Sequence, residues 1–473
     1  MKFTILLTSL SALALSACAV GPDYVAPLPA PKSGGPFVGA VNPAVATGQA
    51  ADSWWHLYDD PILNGLVADA LAANTDIRVA VARLDKARAS LRGARSDRLP
   101  QTSIGATGTR GRTADTQTFP GADRTGSAFD VGIDISYEVD LSGRVRRNIE
   151  AARGDVSAAN ADADAVRVAI VSATTRAYID ATSSAERLTV ANRVVTLLDK
   201  SANVTARRAE AGRSSQLEVV RTRTLRDQRA ALVPALEAGR QAALFRLATL
   251  TGRTPQDLPA AASMRLTTPR LTQPIPVGDG AALLARRPDV RAAERRLAAA
   301  TARIGVATAD LYPRISLGGS VGSNSSSLGD IFGGGALRWL VGPLISWSFP
   351  NISAARARIA GSQADSREAL AAFDGTVLTA LEETETALSN YTHEIEVRAA
   401  LQAAQSGAAT ASRITHARQR EGQIDFLSVL DADRTSADAD ADLAASDARI
   451  AVAQVELFRA LGGGWEKPRP QST

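Results

Sequence analysis

Two hydrophobic periods alternate along this chain, and each is written twice. Leu283, Val290, Leu297, Ile304 and Leu311 fall at intervals of seven, and Ile77, Leu84 and Leu91 hold the equivalent places earlier. A sustained seven-residue repeat predicts helices in a coiled-coil seam. Both helices are predicted to stop at a proline, Pro100 and Pro313. The period then drops to two. Phe129, Val131, Ile133, Ile135, Tyr137 and Val139 alternate with Asp130, Gly132, Asp134, Ser136, Glu138 and Asp140. One apolar and one acidic face suit a barrel wall between lipid and water, which about 9–11 residues span. Weaker alternations surround it: Ile104, Ala106 and Gly108; Ile315, Leu317, Gly319 and Val321; Leu337, Trp339, Val341, Ile345 and Trp347. The pattern predicts strands at about 101–112, 127–140, 313–323 and 336–349, joined by loops rich in Gly, Ser, Thr and Asp.

Helical pattern then resumes at unusual length. No proline falls between Pro120 and Pro234, or between Pro350 and Pro468. Gly143 to Ala211 is 69 residues, about 100 Å of helix at about 1.5 Å per residue. Leu188, Ala191, Val195 and Leu198 keep a helical spacing there, as do Leu381, Leu388 and Ile395 later. Gly212 and Gly422 interrupt these stretches midway. Glycine inside a helix costs about 1 kcal/mol against Ala, so each is read as the turn of a helical hairpin.

The repetition is systematic. Asp76-Ile77-Arg78 recurs as Asp289-Val290-Arg291, and Pro100 as Pro313, both displaced by 213 (289 − 76, 313 − 100). Ile135-Ser136-Tyr137 recurs as Ile345-Ser346-Trp347 and Gly212 as Gly422, both displaced by 210 (345 − 135, 422 − 212). The expected organisation is a first repeat at 51–253, a linker at 254–279, a second repeat at 280–465 and a short tail at 466–473. The fold class is mainly α with membrane β: an internally duplicated chain with four strands per protomer. Four strands leave two raw edges, which hydrocarbon does not accept. Two, three or four copies would close barrels of about eight, twelve or sixteen strands.

Composition narrows the partners. Of 473 residues, 4% are aromatic, and the formal charge is +4 with both signs interspersed. No basic stripe with interleaved aromatics appears, so no nucleic-acid partner is expected. The N-terminus reads as a signal peptide over 1–17: Lys2, the apolar run Ile5 to Leu15, then small residues. Leu15-Ser16-Ala17-Cys18 resembles the lipobox of bacterial lipoproteins, in which the Cys is acylated; Ala19 rather than Asp next to it resembles outer-membrane sorting. Cys18 is the only cysteine, so no disulfide is expected, and covalent lipid on Cys18 is the only non-protein group. Several acyl chains would hold the chain durably to outer-membrane lipid. Residues 18–50, rich in Pro and Gly, are expected to be an extended, lipidated tether. No later run of 18 apolar residues offers a transmembrane helix.

The lipobox with Gly21-Pro22-Asp23-Tyr24, then Tyr137-Glu138-Val139-Asp140-Leu141-Ser142-Gly143, Arg286-Arg287-Pro288-Asp289-Val290, Val429-Leu430-Asp431-Ala432 and Ala460-Leu461-Gly462-Gly463-Gly464-Trp465 resemble the NodT-type outer-membrane efflux lipoproteins. The likeness covers nearly the whole mature chain, and the motifs occur in order. It implies a homotrimer with a 12-stranded β-barrel joined to a long periplasmic α-helical coiled-coil barrel. It also implies two partners, a periplasmic adaptor (membrane fusion) protein and an inner-membrane RND transporter. The implied function is the outer-membrane exit duct of a tripartite efflux system, passively conducting drugs or other small toxic solutes.

By that resemblance, Asp431 in Leu430-Asp431-Ala432 takes the constricting position of the periplasmic gate, and Leu427 the apolar ring four residues earlier. Asp425 in the same tip is expected to add to the acidic ring. Three Asp side chains about one axis repel each other and attract cations to the mouth. Arg418-Gln419-Arg420-Glu421 stands where many relatives have an aromatic or small polar residue, so the gate-locking contacts are expected to differ. The adaptor-docking tips are placed at about 213–216 and 421–426, with Gly212, Arg213, Gly422 and Gln423 at their turns. Gly318-Gly319-Ser320-Val321-Gly322 matches a nucleophile elbow, but that motif needs a helix after the Ser. His56, His393 and His416 form no evident partner set, so neither an enzyme nor a metal site is expected. The alternative is a lipid-anchored periplasmic coiled-coil scaffold without a pore, which leaves the alternating strands without purpose.

Overall fold

The computed structural model describes residues 19–27, 32–46, 48, 51–117, 119, 121, 123–271, 273–333 and 335–464. The signal segment, Cys18, Trp465 and the tail 466–473 lie outside the described residues. In chain order the elements are β1 (Val45–Ala46), α1 (Pro61–Ala73), α2 (Thr75–Ser96), β2 (Gln101–Arg112), β3 (Thr125–Val139), α3 (Arg144–Glu210), α4 (Gln216–Ala230), α5 (Leu232–Leu250), β4 (Ile275–Pro276), α6 (Gly280–Arg286), α7 (Pro288–Ala309), β5 (Arg314–Ser325), β6 (Leu337–Ser346), α8 (Ser353–Arg420) and α9 (Phe426–Ala460). They form two compact units, one from residues 1–28, 83–160 and 292–374, the other from 29–82, 161–291 and 375–473.

The first unit carries an antiparallel sheet of order β2-β3-β5-β6. Residues opposed in an antiparallel ladder share a face. Ile133 opposes Ile104 and Val321, and Val321 opposes Trp339; Tyr137 opposes Leu317, which opposes Pro343. One face is therefore apolar from edge to edge. The other carries Asp130, to which the Arg338 guanidinium donates twice, at 2.9 and 2.7 Å. Opposed Gly132 and Gly322 let β3 and β5 approach closely here: a Cβ on Gly322 would meet the Val131 carbonyl at 2.5 Å and the Gly132 Cα at 2.8 Å. Leu340 and Leu344 break the polar pattern of this face, opposing Ser320 and Ser316. Among the described residues, β2 and β6 each lack a strand partner on their outer edge.

The acidic side of β3 serves two purposes rather than one. Past the strand, the Asp140 carboxylate accepts the Val145 and Arg146 N–H groups at 3.0 and 2.9 Å, capping α3. Glu138 holds Arg144 through a two-pronged pair at 2.8 and 2.6 Å. Gly143, at φ +78°, makes the corner between them. Leu91, Val145 and Ile149 pack beneath it.

The described parts of the segment expected to be an extended tether are docked, and Val38–Val41 form a short 3-10 turn. The Val20 N–H donates to the Ser142 carbonyl at 3.0 Å. Arg147, buried, donates to Asp23 at 2.7 Å and to the Val20 carbonyl at 3.3 Å. Further on, within the second unit, Phe37 is buried, and Val38 and Gly39 donate their N–H groups to Glu385 at 2.7 and 3.1 Å. β1 pairs in parallel with β4 through Val45 and Ile275. Pro/Gly composition disfavours long helix, but distant partners decide whether such a segment docks.

The second unit is helical around Trp54, which stacks on Phe458 at 4.7 Å, with Tyr178, Leu247, Leu388 and Leu457 fully buried nearby. Buried Asp60 caps α1 through the Ile62 N–H (2.9 Å) and accepts from Tyr178 (2.8 Å) and Arg265 (2.7 Å). The linker is clamped as well: Arg270 donates to Asp447 at 2.9 Å. Buried Arg287 explains its motif, donating to Asp289 at 3.0 and 2.6 Å, Glu383 at 2.8 Å and the Ala460 carbonyl at 3.0 Å. Burial alone would push the Asp289 carboxyl up, but the Arg287 guanidinium more than offsets this and holds it below the usual carboxylate range. The heptad positions Ile77, Leu84, Leu91, Leu283, Val290, Leu297 and Ile304 are all buried. α3 and α8 run 67 and 68 residues. Their return paths differ: Pro234, which lacks an N–H and crowds the Ala230 carbonyl, coincides with the break between α4 and α5, whereas α9 is continuous.

Candidate functional site

The two hairpin turns share one backbone design. After α3, Gly212 adopts φ +70°, its N–H reaches the Ala209 carbonyl at 3.0 Å, and the Arg213 N–H reaches Arg208 at 2.7 Å. After α8, Gly422 adopts φ +73°, its N–H reaches Gln419 at 3.0 Å, and the Gln423 N–H reaches Arg418 at 3.0 Å. This Schellman pattern satisfies the last carbonyls of each long helix and needs a left-handed residue, which favours Gly. A Cβ on either glycine would meet nothing within 4 Å. Arg213 and Gln423 are exposed, Gln423 donating to Glu421 at 2.8 Å.

The return helices begin with a cap whose two partners are exchanged between repeats. In α4, Ser215 accepts the Glu218 N–H at 3.2 Å while Glu218 reaches back to the Ser215 N–H at 3.3 Å, a capping box. In α9, Asp425 accepts both the N–H and the hydroxyl of Ser428, at 2.9 and 2.5 Å. The positions correspond at a displacement of 210 (425 − 215, 428 − 218). Asp425 is therefore occupied as a helix cap in this chain. The Ser428 hydroxyl and N–H hold its carboxyl below the usual carboxylate range.

Leu427, 45% exposed, and Asp431, exposed, lie a helical turn apart on α9. Both line a groove between α4 and α9, together with Val220, Arg221, Leu430 and Arg434. Higher in the hairpins, Arg229 of α4 pairs with Asp438 of α9 at 2.6 Å, and Val194, Leu198, Leu225 and Ala437 form a small apolar core. Across the second hairpin, His416 meets buried Asp433 at 2.8 Å, and Ser412 donates to the same oxygen at 2.8 Å. Sequence reading missed this contact. The turn at Gly422 fixes which residues of α8 and α9 face each other, so folding the sequence about that turn was the available signal.

The nucleophile-elbow match dissolves in the structure. Ser320 sits inside β5, opposite Asp134 and Leu340, and the strand runs on to Ser325 instead of turning into a helix after the Ser. No described helix is long and apolar enough to cross a membrane, and no group of three or more described His, Cys, Asp or Glu side chains could hold a metal.

An open antiparallel sheet, apolar on one face, and two capped helical hairpins define a membrane duct component. A family model of outer membrane efflux proteins matches residues 66–253 and 281–463, one stretch in each repeat. The chain is 32% identical to the outer membrane protein OprJ of Pseudomonas aeruginosa, over 97% of this chain and 96% of that protein. It is 30% identical to nodulation protein T of Rhizobium leguminosarum bv. viciae, over 97% of this chain and 93% of that one. The solved structure of the outer-membrane channel OprN superposes with a TM-score of 0.88 at 36% identity, covering 95% of this chain and all of that one. The chain belongs to the outer membrane efflux protein family. It is an outer-membrane exit duct with a large periplasmic portion.

Proposed function

We propose that three copies complete the duct, that it carries solutes passively without catalysing a reaction, and that a lipid on Cys18 anchors each copy. The carrying observation is the sheet itself: four strands, an apolar face, and unpaired outer edges on β2 and β6. Edge-to-edge joining of three such sheets gives a barrel of about twelve strands, wide enough for a channel. The implied partners are a periplasmic adaptor gripping the helix tips at Gly212, Arg213, Gly422 and Gln423, and a proton-driven inner-membrane transporter of the RND class. The proposed cargo is drugs or other small toxic solutes. Leu427 and Asp431 close the periplasmic end. Asp425 caps α9 through one carboxylate oxygen and adds its charge to the acidic ring.

The test places one cysteine on the outer edge of β2 and one on that of β6, in a chain whose own Cys18 is retained. Oxidation should give a covalent trimer that conducts in planar bilayers. A species that stays single-copy and non-conducting overturns the proposal in favour of the pore-less scaffold. Asp431→Ala should raise single-channel conductance, and unchanged conductance would remove it from the gate.

A further inference from the structure

The groove between α4 and α9 carries two opposite charges without partners of their own. Arg221 and Asp431 both line it and both are exposed. Among the described residues, neither forms an ion pair within 4.0 Å. Arg434 lines the same groove, but its guanidinium is turned toward Asp438 at 3.9 Å, a carboxylate that Arg229 also holds at 2.6 Å. Arg221 is the cation of the groove left uncommitted.

Its place in the duplication gives this meaning. Arg221 stands to Asp431 as Gly212 stands to Gly422, a displacement of 210 (431 − 221). Four residues before each is a leucine, Leu217 and Leu427, displaced equally (427 − 217) and exposed by 57% and 45%. α4 and α9 start from the same turn and are capped at equivalent positions. Equivalent residues therefore occupy equivalent faces of the two helices. The leucine is kept in both repeats, and the charge is reversed.

We infer that Arg221 is the counter-charge of Asp431, so that acidic and basic side chains alternate around the closed mouth, beside leucines from both repeats. This rests on the reading of Leu427 and Asp431 as gate residues. Asp side chains alone around an axis repel each other, push the mouth open and draw cations into it. An Arg between successive Asp residues cancels both effects. Its attraction to Asp431 also draws α4 toward α9 across the groove that both line. Arg221 is a positioning and selectivity residue on this account.

The experiment is the reversal potential of the purified full-length protein in planar bilayers under a KCl gradient. Wild type is compared with Arg221→Ala, Asp431→Ala and the exchange Arg221→Asp/Asp431→Arg, with heat-resistant oligomer migration as the folding check. Removing Arg221 should raise the cation-to-anion permeability ratio by about fivefold, the factor one unit charge gives at contact distance in water. Removing Asp431 should lower the ratio similarly, and the exchange should restore it. If Asp431→Ala shifts the ratio and Arg221→Ala does not, the acidic ring stands alone and the inference fails while the gate reading survives. If neither substitution shifts conductance or selectivity, both fall.

Discussion

His416 reaches across the second hairpin to Asp433, its Nε2 lying 2.8 Å from one carboxylate oxygen and 3.1 Å from the other. The Asp433 side chain is 2% exposed, whereas the imidazole is 39% exposed, so the acid is sealed and its partner faces solvent. The contact ties α8 to α9 close to the turn at Gly422.

Cutting that tie should loosen the tip. His416→Ala leaves a buried carboxylate with only the Ser412 hydroxyl, at a cost of about 1–3 kcal/mol. Amide exchange in residues 421–433 should speed up accordingly. The paired replacement His416→Leu/Asp433→Leu removes both polar partners and should recover most of the loss. Single and double changes that simply add would show that the two side chains act independently.

The cap at Asp425 predicts a pH dependence. The Ser428 hydroxyl and N–H stabilise the charged carboxylate, so its folded value lies below its unfolded one. A depressed value contributes stability above the unfolded carboxyl value, about pH 4, and that contribution disappears as pH falls through the folded value. Exchange protection over 426–430 should therefore drop below about pH 4 in the native chain, and Asp425→Asn should flatten that dependence. If Asp425→Asn leaves cation selectivity at neutral pH unchanged, the residue is a cap alone and not part of the ring.

Arg287 should be the least replaceable residue of its motif. Arg287→Met removes the partner of two half-buried carboxylates, Asp289 and Glu383, and of the buried Ala460 carbonyl. Water can reach both acids once the guanidinium is gone, so the cost is that of hydrogen bonds to charged groups, about 1.5–3 kcal/mol. The midpoint of thermal unfolding should fall, and Arg287→Lys, which keeps the charge but not the fork, should recover only part of the loss.

What the sequence revealed and what it hid follow from the range of each signal. The β3 alternation was legible because sheet geometry is written at every second residue, and Phe129 to Val139 keep it without a break. The heptads were legible because burial of Ile77, Leu84 and Leu91 repeats locally. Docking of residues 19–27 was hidden, since its partners Ser142 and Arg147 lie more than a hundred residues away. Asp425 was ambiguous for another reason: an acid just past a turn glycine has the same spelling whether it caps a helix or lines a pore. The cap role shows only when the repeats are superposed at the helix start, where acid and hydroxyl are exchanged between Ser215/Glu218 and Asp425/Ser428.

Two glycines with the same backbone conformation should respond differently to alanine. Gly143 and Gly212 have φ of +78° and +70°, and a left-handed non-glycine residue costs roughly 1–2 kcal/mol at either. At Gly212 nothing lies within 4 Å of the added Cβ, so that conformational cost is the whole effect. At Gly143 the Cβ would fall 2.6 Å from the Ala19 Cα, a backbone atom that cannot swing aside. Gly143→Ala should therefore also displace the N-terminal segment from Ser142 and Arg147, just after the cysteine expected to carry lipid. Limited proteolysis at residues 19–27 should be faster in Gly143→Ala and unchanged in Gly212→Ala. Equal susceptibility of the two variants would mean that the N-terminal segment does not depend on that corner for its docking.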